Sequence, residues 1–359
     1  MTTRPLIPAG LRCAHLADPL GVAPERVRLS WTPEGAGTGR AQRAYQVQVA
    51  PSEERLSTGE HLSWDSGRVE SASSADIDYA GRPLARGGRY LWRVRLWDDR
   101  GQMSDWSEHA AFEVELHPAK GWRACWISQD RTRESVSPPA GAGPRDSVAA
   151  ALAPAPYLRR DFTVEDKPVA GARLYVTALG LYEARLNGQR VGDAFLAPGW
   201  TDYGERLLYQ TYDVTSLVAV GENVLGAVVA DGWYAGFAGF DAKRAGAHYG
   251  TRPELLAQLI ITFTDGSQQW IVTDEHWQAR AGAIRHADLL MGEKHDLRLE
   301  PAGWDAPGFD AGDWPAVRCR DRDSRPLVAD PGPPIRVTEE IRPAGITRDA
   351  DGRDRKSVV

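Results

Sequence analysis

Between residues 180 and 240 the chain alternates short apolar runs with turn residues, and this pattern constrains the fold more than any other feature. The stretch reads GLYEARLNGQRVGDAFLAPGWTDYGERLLYQTYDVTSLVAVGENVLGAVVADGWYAGFAGF, with tryptophan and tyrosine set beside glycine. Apolar runs this short, separated by turn residues, are typical of strands rather than of long amphipathic helices. The stretch therefore predicts a β-sandwich with aromatic loops hinged at glycine.

Length and composition are those of an ordinary globular protein, and they argue against two classes of partner. The chain has 359 residues, enough for two or three domains, of which 42% are hydrophobic and 26% charged. A formal net charge of −6 argues against a nucleic-acid partner, because such proteins present basic surfaces. No apolar run approaches the length of a membrane span, so no membrane partner is predicted.

The cysteines and the N-terminus predict a reducing compartment. Cys13, Cys125 and Cys319 are far apart, odd in number and without a CxxC motif, so buried free thiols are favoured over disulfides or a zinc site. The opening residues, MTTRPLIPAGLRCAHL, contain no apolar core of a secretory signal. We therefore expect a cytoplasmic protein.

Residues 1–117 are predicted to form a first β-sandwich. Tyr45, Val47 and Val49 alternate with polar residues, which places one face of their strand in a core and the other in water. Short strands separated by Gly, Pro and Asp are typical of immunoglobulin-like or fibronectin-III-like domains. The candidate strands are residues 26–31, 44–50, 62–65, 74–79, 89–98 and 110–116.

Residues 157–317 are predicted to form a second, jelly-roll-type β-sandwich, so the fold class is all-β. Asn187-Gly188 and Asp265-Gly266 are hairpin dipeptides, because both residue types tolerate a positive φ. Helical periodicity is short and confined to residues 147–152 and 214–218. The candidate strands are residues 158–163, 171–178, 181–186, 208–213, 223–230, 255–263 and 268–273.

Two regions lie outside these predicted sandwiches. Residues 118–156 are expected to be a linker, with a short strand near 120–129 and then a part rich in Ala, Pro, Ser and Gly. Residues 318–359 are expected to begin a further, truncated domain, with its first strand at 331–342. The last six residues, DRKSVV, can be encoded by a string similar to a sequencing-adapter oligonucleotide, so a non-native tail is expected at 354–359.

Three stretches, taken in order, resemble one family of enzymes. LRCAHLADPLGVAPERVRLSW begins at Leu11, LNGQRVGDAFLAPGWTDYGERLLYQTYDVTSLVAVGENVLGAVVADGWYAG at Leu186, and LLMGEKHDLRLEPAGWDAPGFDAGDWPAV at Leu289. They resemble the fibronectin-like domain, the β-sandwich domain and that domain's closing segment in the N-terminal, non-catalytic region of bacterial α-L-rhamnosidases. The resemblance implies an accessory fragment of an enzyme that hydrolyses terminal α-L-rhamnosyl residues with inversion.

The same resemblance implies that the chain is inactive alone. In the family, catalysis resides in a later (α/α)₆ barrel, where a carboxylic acid and a carboxylate base flank the glycosidic bond. An inverting pair stands about 6.5–9.5 Å apart to admit water. No catalytic residue can be carried over to this sequence, and the expected partners are L-rhamnosides, through the full-length enzyme, and the catalytic domain itself.

Two aromatic loops, at residues 198–203 and 231–237, are candidates for carbohydrate binding. Pyranose rings stack on aromatic faces while Asp and Asn contact hydroxyls, and glycine permits close approach. The alternative is that these aromatics are packing elements, including contacts with the catalytic domain. The candidate carbohydrate-binding residues are Trp200, Asp202, Tyr203, Asp231, Trp233 and Tyr234.

No cofactor is predicted. The resemblance implies a calcium-dependent rhamnose-binding module in some family members, but no carboxylate-rich loop supplies a Ca²⁺ ligand set here. Asp274-Glu275-His276 and Glu293-Lys294-His295-Asp296 are more simply surface or turn residues, because adjacent strand positions point to opposite faces. Two other functions remain open, namely a stand-alone carbohydrate-binding module and a structural protein of fibronectin type.

Overall fold

The computed structural model describes residues 6–35, 39–129, 153–237, 247–348, 350–351 and 354–357. It is nearly all β, with 45% of residues in strands and 6% in helices. The predicted all-β fold is confirmed. Within the described residues, no helix is long and apolar enough to span a bilayer.

The first domain is a sandwich of two sheets. One sheet has the order β1-β3-β7, and the other has the order β2-β9-β8-β4-β5, with β6 also paired to β4. The predicted strand at residues 89–98 has the same bounds in the structure, whereas β1 was not predicted. The strands are β1 (Ile7–Cys13), β2 (Leu20–Val22), β3 (Arg28–Glu34), β4 (Gln42–Ala50), β5 (Trp64–Asp65), β6 (Val69–Glu70), β7 (Ile77–Asp78), β8 (Arg89–Asp98) and β9 (Ala110–Val114).

Alternating residues of the strands fill the core of this domain. Trp92, Val94 and Leu96 of β8 are fully buried, and Leu29 and Trp31 of β3 pack into the same cluster from the opposite sheet. From Trp92 to Leu96, alternate side chains of β8 are fully buried. In β4 the predicted face, Tyr45, Val47 and Val49, is in the core, but Ala44, Gln48 and Ala50 on the other face are buried as well, so the prediction that this face lies in water was wrong. Two short helices, Pro24–Arg26 (3₁₀) and α1 (Glu53–Thr58), complete the domain.

The outer face of β8 carries a stack of arginine and tryptophan side chains. The guanidinium of Arg95 lies 4.6 Å from the ring centre of Trp106 and 5.4 Å from that of Trp97. Arg93 covers Trp106 at 4.5 Å, and Arg68 covers Trp97 at 4.9 Å. Cation–π contacts of this kind hold the loop that contains Trp106 against the sheet.

The second domain is also a sandwich. Its larger sheet has the order β22-β10-β17-β12-β15-β23, with β18 paired to β17, and its smaller sheet has the order β14-β13-β16-β11-β19. The strands are β10 (Trp126–Ser128), β11 (Pro156–Val164), β12 (Val169–Leu179), β13 (Leu181–Leu186), β14 (Gln189–Arg190), β15 (Leu207–Asp213), β16 (Gly221–Ala230), β17 (Glu254–Phe263), β18 (Gln268–Val272), β19 (Gln278–Ala281), β20 (Ile284–Asp288), β21 (Gly292–His295), β22 (Arg318–Arg320) and β23 (Leu327–Ala329).

The predicted hairpins of the second domain are present. Asn187 and Gly188 have φ values of 52° and 80°, which fit the turn that joins β13 to β14. In the second hairpin, between β17 and β18, Gly266 has a positive φ of 82°. The helix predicted at 214–218 is a single 3₁₀ turn, Thr215–Leu217, and the one predicted at 147–152 lies outside the described residues.

The larger sheet extends beyond the predicted limits of this domain at both ends. β10 lies in the predicted linker at 118–156, and β22 and β23 lie in the predicted further domain at 318–359, yet all three join the larger sheet. The strand predicted at 331–342 is not formed; Ile335 makes a single bridge to Phe195, and a separate hairpin follows, with β24 (Gly345–Arg348) and β25 (Asp354–Ser357). The prolines at 331–342 explain this, because proline cannot donate to a ladder.

Two of the three cysteines form a disulfide, so the prediction of three free thiols was wrong. Cys125 and Cys319 are 194 residues apart in sequence, but β10 and β22 are neighbours in the sheet and bring their Cα atoms to 6.2 Å. Cys13 is a free, buried thiol whose pKa is raised by burial to about 12. The large separation of the two cysteines in sequence could not reveal that their strands are paired in the folded sheet.

An ion-pair network joins the two domains. Arg173 of β12 binds Glu113 of β9 at 2.6 Å and Asp213 at the end of β15 at 2.9 Å. A polar cleft of about 360 Å³ lies at this junction, and its lining includes these three residues. Nearby, the backbone N–H of Leu116 donates to the hydroxyl of Tyr209. These contacts fix the first domain against β12 and β15.

The Cys125–Cys319 disulfide generates the first prediction. Reduction releases a long loop in the unfolded chain, so the free energy of unfolding should fall by about 2–5 kcal/mol. Urea unfolding with and without dithiothreitol measures the difference. Cys13→Ala is the matched control and should show the same difference between oxidised and reduced protein, whereas Cys319→Ser should show no difference. Equal midpoints in oxidised and reduced wild-type protein would contradict the prediction.

The second prediction concerns acid stability at the domain junction. Burial acts to raise the pKa of Asp213, but hydrogen bonds from Thr215 and the charge of Arg173 outweigh it, so the pKa lies below its ordinary 3.8. The stability from this carboxylate is therefore complete above pH 3.8 and lost as the pH falls through the folded-state pKa.

Asp213→Asn should accordingly show a smaller loss of melting temperature between pH 7 and pH 3 than the wild type. Calorimetry at both pH values measures the melting temperatures. Glu60→Gln, a substitution of an exposed carboxylate, is the control. Identical pH profiles for the wild type and Asp213→Asn would show that the Asp213 carboxylate contributes nothing to acid stability.

Candidate functional site

The two aromatic loops that the sequence singled out meet in space. Residues 198–203 precede β15, while residues 231–237 follow β16 and contain the short helix α2 (Gly232–Ala235). Trp200 and Trp233 come together across the two loops, as do Tyr203 and Tyr234. The cluster sits where these loops close over the outer side of the larger sheet.

Trp200 and Trp233 form the outer layer of this cluster. Their ring centres are 6.3 Å apart and their planes differ by 9°, which is a parallel stacked arrangement. Trp200 keeps 61% of its surface exposed, whereas Trp233 is half-buried against the residues beneath it. Each indole therefore uses one face for the other ring.

Three tyrosines form the inner layer. Tyr203 is 2% exposed, and its ring lies 5.3 Å from that of Tyr234 and 4.9 Å from that of Tyr249. Its hydroxyl donates to the carbonyl of Gly199 at 3.2 Å. Burial, and then the neighbouring Tyr249 and Tyr234, raise the pKa of Tyr203. Two of the predicted sugar-binding residues, Tyr203 and Tyr234, are thus engaged in packing.

The two candidate aspartates have different surroundings. Asp202 is exposed and accepts the backbone N–H of Gly204 at 2.9 Å, so it closes the turn in its own loop. Asp231 is 5% exposed and stands at the start of α2, where its carbonyl accepts the N–H of Ala235. One oxygen of Asp202 is therefore used within its own loop, and Asp231 is buried.

The glycines of this region make room for protein groups. A Cβ on Gly250 would stand 2.4 Å from the ring of Tyr234, and a Cβ on Gly236 would stand 2.4 Å from Asp288. Gly232 has a φ of 54°, which favours glycine. The close approach that the sequence suggested for a ligand is taken up here by tyrosine and aspartate side chains.

Asp288 is a residue of the site that the sequence analysis missed. It is 8% exposed, and its carboxylate accepts backbone N–H groups from Phe237 at 2.9 Å, from Leu290 at 2.8 Å and from Met291 at 2.9 Å. The carboxylate therefore ties the loop after α2 to the turn between β20 and β21. An aspartate placed just before a turn is the signal that was available.

Asp274, Glu275 and His276 lie in a turn, with one ligand atom of each within 4.8 Å of the others. The expectation that they point to opposite faces assumed a strand and was wrong. Asp274 is paired with Arg160 at 2.5 Å and accepts the backbone N–H of His276. The surface-turn role predicted for these residues agrees with those contacts.

Family profiles match most of the chain. The profile described as "Rha78A-like, N-terminal immunoglobulin domain" matches residues 8–117. The profile described as "Alpha-L-rhamnosidase N-terminal domain" matches residues 167–339. The chain belongs to the α-L-rhamnosidase family. Within that family it corresponds to the N-terminal region, since both matching profiles describe N-terminal domains.

Individual α-L-rhamnosidases are similar over nearly the whole chain. One from Streptomyces avermitilis is 34% identical over 94% of this chain and 47% of its own length, and one from Alteromonas sp. is 38% identical over 84% and 31%. The crystal structure of the Streptomyces avermitilis α-L-rhamnosidase complexed with L-rhamnose has a TM-score of 0.83 at 33% identity, over 95% of this chain and 48% of that one.

The chain thus spans less than half the length of the α-L-rhamnosidases that it matches. In addition, the alignment to the Streptomyces relative is 491 residues long, longer than this whole chain of 359. The relative therefore contains residues within the aligned region that this chain lacks.

The two layers of the aromatic cluster generate the third prediction. Tyr203→Ala empties a buried site and should cost about 3–5 kcal/mol of unfolding free energy. Trp200→Ala removes one exposed stacked ring and should cost at most about 1.5 kcal/mol. Denaturant unfolding of both variants measures the costs, and Tyr203→Phe serves as the conservative control. Similar costs for the two alanine variants would overturn the two-layer description.

Proposed function

We propose that this chain forms the N-terminal accessory region of an α-L-rhamnosidase, an enzyme that removes terminal α-L-rhamnosyl residues with inversion. One observation carries the proposal. Similarity at 33–34% identity covers 94–95% of this chain, but only 47–48% of the α-L-rhamnosidase from Streptomyces avermitilis. The two sandwiches would then support a catalytic domain that lies elsewhere in the polypeptide.

The chemistry of the described residues fits an accessory role. Inverting hydrolysis needs two carboxyl groups across a cleft wide enough for a sugar and a water. The polar cleft between the domains contains Glu113 and Asp213, but both carboxylates are held by Arg173. Against the effect of burial, hydrogen bonds from Thr215 and the charge of Arg173 hold the pKa of Asp213 below its ordinary value, so this carboxyl group is a poor general acid near neutral pH.

The fourth prediction tests this proposal. The 359-residue chain should show no turnover of 4-nitrophenyl α-L-rhamnoside, whereas the longer enzyme that contains it should release 4-nitrophenol. Reading the genomic DNA beyond codon 353 establishes the longer sequence. Glu113→Gln in the 359-residue chain is the control. Turnover by the chain that disappears in this variant would place catalysis in these domains.

Carbohydrate binding by Trp200, Asp202 and Trp233 is a second candidate function. The exposed face of Trp200 favours it, since pyranose rings stack on open aromatic faces. Such a site would bind at about millimolar affinity, or roughly −4 kcal/mol. A saturable fluorescence change with L-rhamnose that is lost in Trp233→Ala, at unchanged melting temperature, would support it. Tyr203, Asp231 and Tyr234 are better explained by packing.

The absence of a cofactor and the cytoplasmic location stay predictions. Among the described residues, Asp274, Glu275 and His276 have metal-ligand spacing, but two of them are exposed, and Asp274 is paired with Arg160 and His276, so no metal site is proposed. A cytoplasmic location was expected from the N-terminal sequence. The Cys125–Cys319 disulfide weighs against it, because cytosolic thiols are normally kept reduced.

A further inference from the structure

Five apolar side chains form a surface patch where the chain leaves the second domain. Trp200 is 61% exposed, Ile335 56%, Phe195 44% and Leu196 39%, and Trp233 is half-buried beside Trp200. We call these five residues the Trp200 patch.

The members of the Trp200 patch are held in place by backbone and ring contacts. The N–H of Phe195 donates to the carbonyl of Ile335 at 2.9 Å, and Arg190 lies 4.5 Å from the centre of the Phe195 ring. The N–H of Gly199 donates to the carbonyl of Leu196 at 2.9 Å, which places Trp200 directly after a closed turn. A surface ordered in this way loses little conformational entropy when it binds.

The Trp200 patch has the composition of an interface. Single exposed apolar residues are common on protein surfaces, but clustered ones mark interaction sites. Tryptophan and phenylalanine are enriched at the centres of interfaces, where they contribute much of the binding free energy. Val337 and Ile341, which follow Ile335 along the chain, are also 61% and 63% exposed, so the apolar surface continues along the exit path.

We propose that the Trp200 patch is the docking surface for the C-terminal part of the same polypeptide, the half of the α-L-rhamnosidase that follows this region. The inference rests on the proposed function. The match covers 47% of the relative from Streptomyces avermitilis, so more than half of that enzyme lies outside the match. The profile of the α-L-rhamnosidase N-terminal domain ends at residue 339, just after Ile335. The next part of the enzyme is thus tethered within a few residues of the patch.

The tether and the chemistry of the patch both favour this occupant. A short tether gives the following domain a high effective concentration at the patch, so a modest apolar interface suffices. Sugar sites need convergent polar groups around an aromatic face. Of the two aspartates in these loops, Asp202 uses one carboxylate oxygen to close its own turn and Asp231 is buried.

Oxidative footprinting tests the proposal. The 359-residue chain and the longer enzyme expressed from the same gene are exposed to hydroxyl radicals, and oxidation of Trp200 is measured by mass spectrometry. Trp200 should be oxidised about tenfold more slowly in the longer enzyme, as expected for an aromatic anchor from which water is excluded. Met103, 49% exposed in the first domain, is the internal control and should react equally in both.

The outcomes separate this proposal from the proposed function. Equal oxidation of Trp200 in both proteins, with an active rhamnosidase, overturns the docking proposal alone. Protection of Trp200 in a longer protein that is inactive on rhamnosides supports docking and overturns the proposed function. If L-rhamnose protects Trp200 of the 359-residue chain from oxidation, the patch is a sugar site instead. If protection of Trp200 increases with the concentration of the 359-residue chain, the patch binds a second copy of that chain. Either result overturns docking, as does a reading frame that ends at codon 359.

A variant gives an independent measure. Trp200→Ser should lower the melting temperature of the longer enzyme by more than that of the 359-residue chain, in which only the stacking on Trp233 is lost. Leu297→Ser is the matched control, because Leu297 is 76% exposed and lies outside the Trp200 patch, and it should change neither. An equal decrease in melting temperature in the two proteins would contradict docking.

Discussion

The antiparallel pairing of β12 with β17 is the constraint on which the second domain and its surroundings depend. The two strands are in register from Ala172↔Ile261 to Leu179↔Glu254, and both faces of this ladder are buried. Leu174 and Leu259 point into the sandwich, whereas Tyr175 and Ile260 point to the other side and support a second apolar cluster. The first domain, the aromatic loops and the exit of the chain all rest on that second side.

The regular strands could be predicted because their information is local. Residues 89–98 and 181–186 have the predicted bounds, since alternation along a strand depends on each residue's immediate neighbours. β1 was missed because IPAGLRC contains a proline and a glycine. β10 lies within the short strand predicted near 120–129, whereas β22 gave no clear signal. Each is three residues long, and their pairing joins segments nearly two hundred residues apart in sequence.

The aromatic site was located from the sequence, but its arrangement was not. Tryptophan, tyrosine and glycine in residues 198–203 and 231–237 identified the two loops. Which ring is buried depends on Tyr249 and on the sheet beneath, and no local pattern encodes either. The sequence therefore named Trp200 and Tyr203 together, although one is 61% and the other 2% exposed.

The disulfide turns the second domain into a covalent ring with two tails that emerge side by side, since the Cα atoms of Cys125 and Cys319 are 6.2 Å apart. This has a mechanical consequence. When tension is applied between the first domain and the polypeptide beyond residue 319, the shortest covalent path runs through the sulfur–sulfur bond. Once β23 has separated from β15, and the first domain from β12 and β15, the strands enclosed between the two cysteines carry none of that load, so they are shielded from force for as long as the bond remains oxidised.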